Sequence, residues 1–364
     1  MDTGSYTFQD LEKKYDGFSA PAYEISVGGQ AFECSKVPTS ALEVEVSCDG
    51  RAGGCSFQIE GQYDYESRQW VNKMVKAVKA GAELEVKGGY GKKKTLFYGY
   101  VDDYSIDFTE DAATSLSVTG LDGLGYLMSL REPLYAGKKK PAQIVKEILQ
   151  KSVSAGFARS MTMAALNGFE TSVVKEQIDD WKFLNLMAQR YGLSLFCVAG
   201  ELIFSDVATK TGPILTLTMG QGLDSFQKRV SLAHQVGKVE IRGRDVNQKA
   251  IQGEASSVKA GGAGKSAAEL VPALKEAVLR EYSEYARTQD ECKLLAQNRL
   301  DGIAMGLVSG RGRCIGIPEL IPGRYLKIEG GDSQANGSYF LTKVRHLFDD
   351  NGYITEFEVK GAKA

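Results

Sequence analysis

Six cysteines and two histidines are the residues of this 364-residue chain whose types most readily do chemistry, and their spacing specifies none. Cys34, Cys48, Cys55, Cys197, Cys292 and Cys314 form no Cys-x-x-Cys pair and have no adjacent histidine, so no zinc or redox site is marked. Cys48 and Cys55 bracket a glycine-rich turn and could approach across a hairpin, but a cytoplasmic chain keeps its thiols reduced. His234 and His346 lie far apart in strand-like surroundings. No GxxxxGK[ST], HExxH or GxSxG motif occurs. Gly88-Gly89-Tyr90-Gly91-Lys92 resembles a phosphate loop, yet strand-like residues follow it, and the helix dipole that such a loop needs is missing. Carboxylates are plentiful, but none stands out as half of an acid–base pair. The expectation is therefore no catalytic residue, no metal and no cofactor.

Charge and hydropathy narrow the classes further. Lys and Arg number 44 against 46 Asp and Glu, a formal charge of −2, whereas a protein that grips nucleic acid normally carries a basic excess on one domain. The runs Lys92-Lys93-Lys94 and Lys138-Lys139-Lys140 sit in glycine-rich turns and read as solvated loops. No apolar run reaches the roughly 18 residues of a membrane span, and the first ten residues lack the basic and apolar parts of a signal peptide. No membrane anchor and assembly in the cytoplasm are expected.

The elements that must position any surface come next. Asp179 or Asp180 caps a helix on which Trp181, Leu184, Ala188 and Tyr191 share a face, and Gly192 closes it. Leu193 to Phe196 and Leu202 to Phe204 flank Val198-Ala199-Gly200 as a hairpin. Tyr23 to Val27 and Ala41 to Val46 alternate as half-buried strands; Trp70, Val71, Met74, Val75 and Val78 repeat at helical spacing before Gly81; Glu83 to Val86, Leu96 to Tyr104 and Ser115 to Val118 read as strands. Pro141 opens a helix with Ile144, Val145, Ile148 and Leu149 as its buried stripe. Gly253 to Ala268 reads as a flexible linker, and Thr288 with Glu291 has capping-box spacing for a helix through Leu294, Leu295, Leu300 and Ile303.

The order acidic residue, Trp181, Phe183-Leu184, Leu186-Met187-Ala188, Arg190-Tyr191-Gly192-Leu193 and an apolar strand resembles the phage late-control D proteins and the related hub part of type VI secretion spike proteins. Gly237 to Ala255, and Ile317 to Gly323 leading to Tyr339, Val344, His346 and Gly352 to Phe357, carry the same resemblance. It implies an α+β, mainly β chain with two tube-type antiparallel β-barrel domains, an α/β middle domain and a helical insertion in the second barrel. The boundaries expected are an arm at 1–19 that orders only against a partner, a first barrel at 20–126, the middle domain at 127–206 and the second barrel at 207–364, with linker and helical insertion at about 253–305.

An internal repeat supports the two barrels. Val86-Lys87-Gly88-Gly89 answers Ile328-Glu329-Gly330-Gly331, Phe97 and Val101 answer Phe340 and Val344, and Ser115 to Gly120 answers Glu356 to Gly361. Three such chains in a closed ring would present six similar units, matching a six-fold tube on one face and a three-fold spike on the other. The function implied is a non-enzymatic baseplate hub of a contractile tail or tail-like particle. Its expected partners are two further copies of itself, a tail tube protein, a separate spike protein, other baseplate proteins and a tape measure protein, with no specific nucleic-acid binding. A tail-associated peptidoglycan hydrolase is the alternative. Strand alternation puts Glu43, Glu45, Glu83 and Glu85 opposite the apolar faces, as candidates to line a channel. The hairpins Gly88 to Lys94, with Lys92 at its tip, and Gly330 to Ser338 are candidates for contacts between subunits.

Overall fold

The structure is a computed structural model describing residues 4–33, 39–108, 113–136, 140–166, 173–175, 177–208, 212–262 and 264–364. Cys34, Lys138 and Lys139 lie outside the described residues. The N-terminal arm, expected to order only against a partner, is ordered by its own chain. Thr7 caps α1 (Phe8–Lys14), and Leu11, Tyr15 and Phe18 are buried. The Tyr15 hydroxyl donates to Glu319 at 2.8 Å and Lys14 pairs with the same carboxylate at 2.6 Å, which neutralises an acid that is 0% exposed.

The first repeat contains β1 (Ala22–Val27), β2 (Gln30–Glu33), β3 (Thr39–Ser47), β4 (Gly54–Glu60), the short pair β5 (Tyr63–Asp64) and β6 (Gln69–Trp70), α2 (Lys73–Ala77), β7 (Glu83–Gly89), β8 (Lys93–Asp107) and β9 (Ser115–Leu121). Alternation holds in β3, where Leu42, Val44 and Val46 enter the core. The helix expected from Trp70 is shorter. Asn72 accepts from the Met74 N–H and starts the helix there, leaving Trp70 in β6 and Val71 at the surface.

The middle region holds α3 (Gly123–Leu127), β10 (Leu134–Ala136), α4 (Pro141–Ser154), β11 (Ser160–Met163), β12 (Val173–Lys175), α5 (Asp180–Tyr191), β13 (Ser194–Val198) and β14 (Glu201–Ser205). Asp179 caps α5 through the Lys182 N–H at 2.6 Å, and Gly192 ends it with φ 65°. Leu184, Ala188 and Tyr191 are buried as expected. The remaining core positions of the helix are Phe183 and Met187, while Trp181 is half-buried and donates its indole N–H to the Gly50 carbonyl at 2.6 Å. Trp181 thus packs against the edge of the middle-region core and also ties that region to the first repeat. Asp180 is fully buried between Lys175 and Lys151, an ion triad that the sequence pattern does not announce.

The second repeat begins with β15 (Pro213–Met219) and β16 (Gly222–Val230). The chain then leaves for a separate three-stranded sheet, β17 (Lys238–Arg244), β18 (Ala250–Ala255) and, after α6 (Ala267–Leu270), β19 (Val278–Tyr282), covered by α7 (Gln289–Ala304). It returns as β20 (Val308–Ile315), β21 (Tyr325–Glu329), β22 (Gly337–Asp349) and β23 (Gly352–Gly361). Two sequence expectations change here. The excursion starts at Lys238, ahead of Gly253, because β17 pairs with β18 and β19 instead of with the barrel. The stretch read as a flexible linker is strapped down: Gly253 packs against the backbone of α7, and the Lys259 and Ala260 N–H groups donate to Asp301.

The large sheet runs β2-β1-β7-β8-β9-β4-β3-β22-β21-β15-β16-β20-β23, and β23 also pairs with β22. The second repeat therefore closes on itself as a barrel, through two parallel contacts of β15, with β21 and briefly with β16. The first repeat does not close in this way; its last strand, β3, pairs with β22 of the second. One apolar core runs beneath both repeats, from Ile25 and Leu84 to Leu326 and Val359, so neither has an interior of its own.

Candidate functional site

The β3–β22 seam carries an ordered row of ion pairs. Strand register lines up Glu45, Arg345, Glu356 and Arg313 in one row and Ser47, Lys343, Glu358 and Arg311 in the next, across β3, β22, β23 and β20. Charges of opposite sign therefore stand opposite one another along each row. Glu43 grips the Arg345 guanidinium with both oxygens at 2.5 Å, Lys343 pairs with Glu45 at 2.7 Å, and Arg345 reaches Glu356 at 3.2 Å. The bond to Glu43 raises the pKa of Arg345 above its usual value and outweighs the cost of burial. A shallow groove of about 490 Å³ follows the rows between Glu45 and Gln227. The face is charge-balanced. Its cations escape a reading that follows only the acidic strands, although Arg311-x-Arg313 and Lys343-x-Arg345 show the period of two that puts them there.

The four glutamates grouped by sequence fall in two places. Glu43 and Glu45 lie on this face. Glu85 is 8% exposed beneath the middle region, held by both Arg159 guanidinium nitrogens at 3.0 and 2.9 Å and by the Thr95 hydroxyl at 2.7 Å. Burial pushes its carboxyl up, but the bonds from Arg159 and Thr95 prevail and hold it below the usual range. Glu83, on the same side of β7, is exposed and accepts from Tyr98 at 3.3 Å. A buried, ion-paired Glu85 cannot line a channel. Its alternation with Leu84 and Val86 is real, but Arg159 covers the second face of β7 at Glu85 while Glu83 stays exposed.

The two candidate hairpins also part company. Gly88 and Tyr90 are buried inside the chain: a Cβ at Gly88 would meet Leu96 and Phe348 at 2.5 Å, and the Tyr90 hydroxyl donates to the Gly316 carbonyl at 2.9 Å. Tyr90 packs in tilted and edge-on contacts among Tyr15, Phe18 and Tyr353, so this hairpin fastens the first repeat to the second within one chain. Lys92 at its tip is exposed, and Lys94 is half-buried. In contrast, Gly330 to Gln334 project into solvent, with Lys228 donating to the Gln334 carbonyl and Ser338 half-buried at the base.

Among the described residues, burial raises the thiols instead of activating them. Burial pushes the Cys48 thiol up to about 12 and moves Cys55, Cys197 and Cys314 the same way. Cys48 and Cys55 do not pair; Cys48 leans on the Leu341 carbonyl in a different apolar cluster. His346, on β22 at the seam, is 3% exposed with its Nδ1 2.8 Å from the Tyr353 hydroxyl, and burial, aided by Lys94, lowers its pKa to about 3. Among the described residues no group of three or more His, Cys, Asp and Glu could hold a metal ion.

A family model described as the Alg8 N-terminal domain matches residues 24–350. The chain belongs to this family. No curated protein matches the sequence. The fold of this Alg8 N-terminal domain family member is similar to that of a tail protein from Neisseria meningitidis MC58, with a TM-score of 0.70 at 13% identity over 94% of this chain and 96% of that one. It is equally similar to the 43 kDa tail protein of prophage MuSo2 from Shewanella oneidensis, with a TM-score of 0.69 at 15% identity over 94% and 99%. The E. coli c3393 protein, a type VI secretion component similar in structure to the T4 tail proteins gp27 and gp5, follows with a TM-score of 0.53 at 12% identity over 93% and 76%. These likenesses concern the fold, and the fold is that of phage tail proteins.

Proposed function

We propose that the chain is the structural hub of a contractile phage tail or tail-like particle. In this reading three copies form a ring that joins a hexameric tail tube to a separate trimeric spike protein, among other baseplate proteins and next to a tape measure protein. The observation that carries it is the repeat: one chain holds the same strand unit twice, joined edge to edge through β3 and β22, within a tail-protein fold. Three copies then supply six similar units and three unlike outer faces, which is what an adaptor between six-fold and three-fold neighbours requires. The charge-balanced rows, including Glu43 and Glu45, are the proposed inner wall, because paired charges hold water and leave little net field to retain a passing polymer. The exposed hairpin Gly330 to Ser338 is the proposed contact with neighbouring proteins.

No side chain in this reading acts as a catalyst. Purified protein mixed with tube and spike proteins should form a complex containing three hub chains and should leave a peptidoglycan gel uncleared. Failure to bind either protein, or a cleared zone abolished by mutation of a single acid, contradicts the proposal.

A further inference from the structure

Five strands of the two repeats are equivalent in chain order, neighbour and direction: β3, β4, β7, β8 and β9 correspond to β16, β20, β21, β22 and β23, while β1 lies antiparallel to β7 and β15, in the same place, lies parallel to β21. In each, the long strand has a bulge just past the point where its first partner gives way to its second, at Asp102 in β8 and Thr342 in β22; β8 has a further one at Leu96, against β7. Laying bulge on bulge places Tyr104, Ile106 and Phe108 where β22 has Val344, His346 and Phe348. That alignment matches Val101 with Leu341, three residues from the pairing the bare sequence suggests.

The matched residues have opposite fates. Val344, His346 and Phe348 are 1%, 3% and 5% exposed because β3 pairs alongside and covers them with Val46, Val44 and Leu42. Tyr104, Ile106 and Phe108 are 41%, 40% and 55% exposed, and among the described residues no strand pairs with that edge of β8. The counterpart of β3 in the second repeat is β16. Beyond Leu223 its outer edge also lacks a partner strand among the described residues, and Val230, at the position of Val46, is 48% exposed. The chain thus makes this seam once and carries the two complementary halves of a second seam apart from each other.

We infer that β16 of one copy pairs antiparallel with β8 of the next, reproducing the β3–β22 seam between chains. The inference rests on the hub reading for the number of copies. By equivalence, Val230 lies opposite Tyr104, Arg229 opposite Ser105, Lys228 opposite Ile106 and Phe226 opposite Phe108. The charges fit. On the outward face of β8, Asp103 and Asp107 flank Ser105, and the facing strand presents Arg229, with Arg311 and Arg313 on the strand beside it. The polarity is the reverse of the internal seam, where the acids are on β3 and the bases on β22. An acidic β3 is therefore repelled by the acidic β8, which keeps a chain from offering the wrong edge to its neighbour.

Cysteine pairs test the register in the full-length protein. Ser105→Cys with Arg229→Cys, and Tyr104→Cys with Val230→Cys, are adjacent ladder positions, so one of the two has the close spacing a disulfide needs. Mild oxidation should give covalent species that end at three chains, and the single-cysteine variants should give none. Arg229→Asp should weaken assembly by roughly tenfold or more, and adding Asp107→Arg should restore most of it. A trimer by mass that cross-links at neither pair overturns the edge assignment and leaves the hub reading intact. Cross-links in an assembly of any other number uphold the edges and overturn the three-copy reading. A chain that stays monomeric at every soluble concentration overturns both.

Discussion

The first and second repeats share five equivalent strands and differ in the direction of the sixth, β1 against β15, and one closes while the other does not. The second brings β16 back beside β15 and seals a barrel; in the first, β3 turns away from β1 and pairs with β22. The consequence shows at matched positions. Phe348 is buried against Tyr353 in a parallel stack at 4.1 Å, and Phe108 stands 55% exposed beside the rings of Tyr63 and Trp70. A repeated unit thus meets two fates over one shared core: the second repeat closes, and the first leaves an edge of β8 with no partner strand among the described residues.

The contrast can be broken most forcefully at that aromatic pair. Phe348→Ala removes a ring from the shared core and should cost about 3–5 kcal/mol, whereas Phe108→Ala should cost less than about 1 kcal/mol in the isolated chain. Urea unfolding of both variants measures this, and equal losses would mean that the two edges are not in different environments.

A smaller effect sharpens the comparison by pH. The folded pKa of His346 lies near 3, below its ordinary 6.5, so the neutral form is the one that folding favours. The stability tied to it is complete above pH 6.5 and is lost as pH falls from there toward 3. Ile106, its counterpart in β8, does not titrate. Unfolding midpoints between pH 7 and pH 4.5 should therefore fall more steeply for the native chain than for His346→Asn; identical slopes would remove His346 from the seam's acid response.

Trp181 is the smallest of the three. Half-buried, with one hydrogen bond to Gly50, it should cost about 1–3 kcal/mol on replacement by Ala, less than Phe183→Ala on the same helix. Thermal unfolding of the pair checks the order.

Local signals in the sequence carried much of the fold. The caps at Asp179, Gly192 and Thr288, the hairpin turn at Ala199-Gly200 and the skeleton of the repeat all follow from neighbours within a few residues of one another. What escaped depends on partners distant in the chain. Alternation in β3 tells which side chains share a face but not that β22 lies alongside, so the cations beside Glu43 and Glu45 stayed hidden. Glu85 looks like any solvent-facing acid until Arg159 arrives from the middle region. Tyr15, Tyr90 and Glu319 show no local pattern; they meet because three separate segments converge. Along the longest strand of the repeat, bulges at Leu96 and Asp102 in β8 and at Thr342 in β22 shift the register without leaving a mark in residue types.

On the proposed reading, the repeated unit builds a ring. Electron microscopy of the purified assembly, averaged down its axis, tests it most directly. The account predicts three chains as six similar lobes about 60° apart, with β3–β22 seams alternating around the ring with β16–β8 seams between copies. Three chains whose repeats stack along the axis, or lobes that do not alternate in this way, would contradict it.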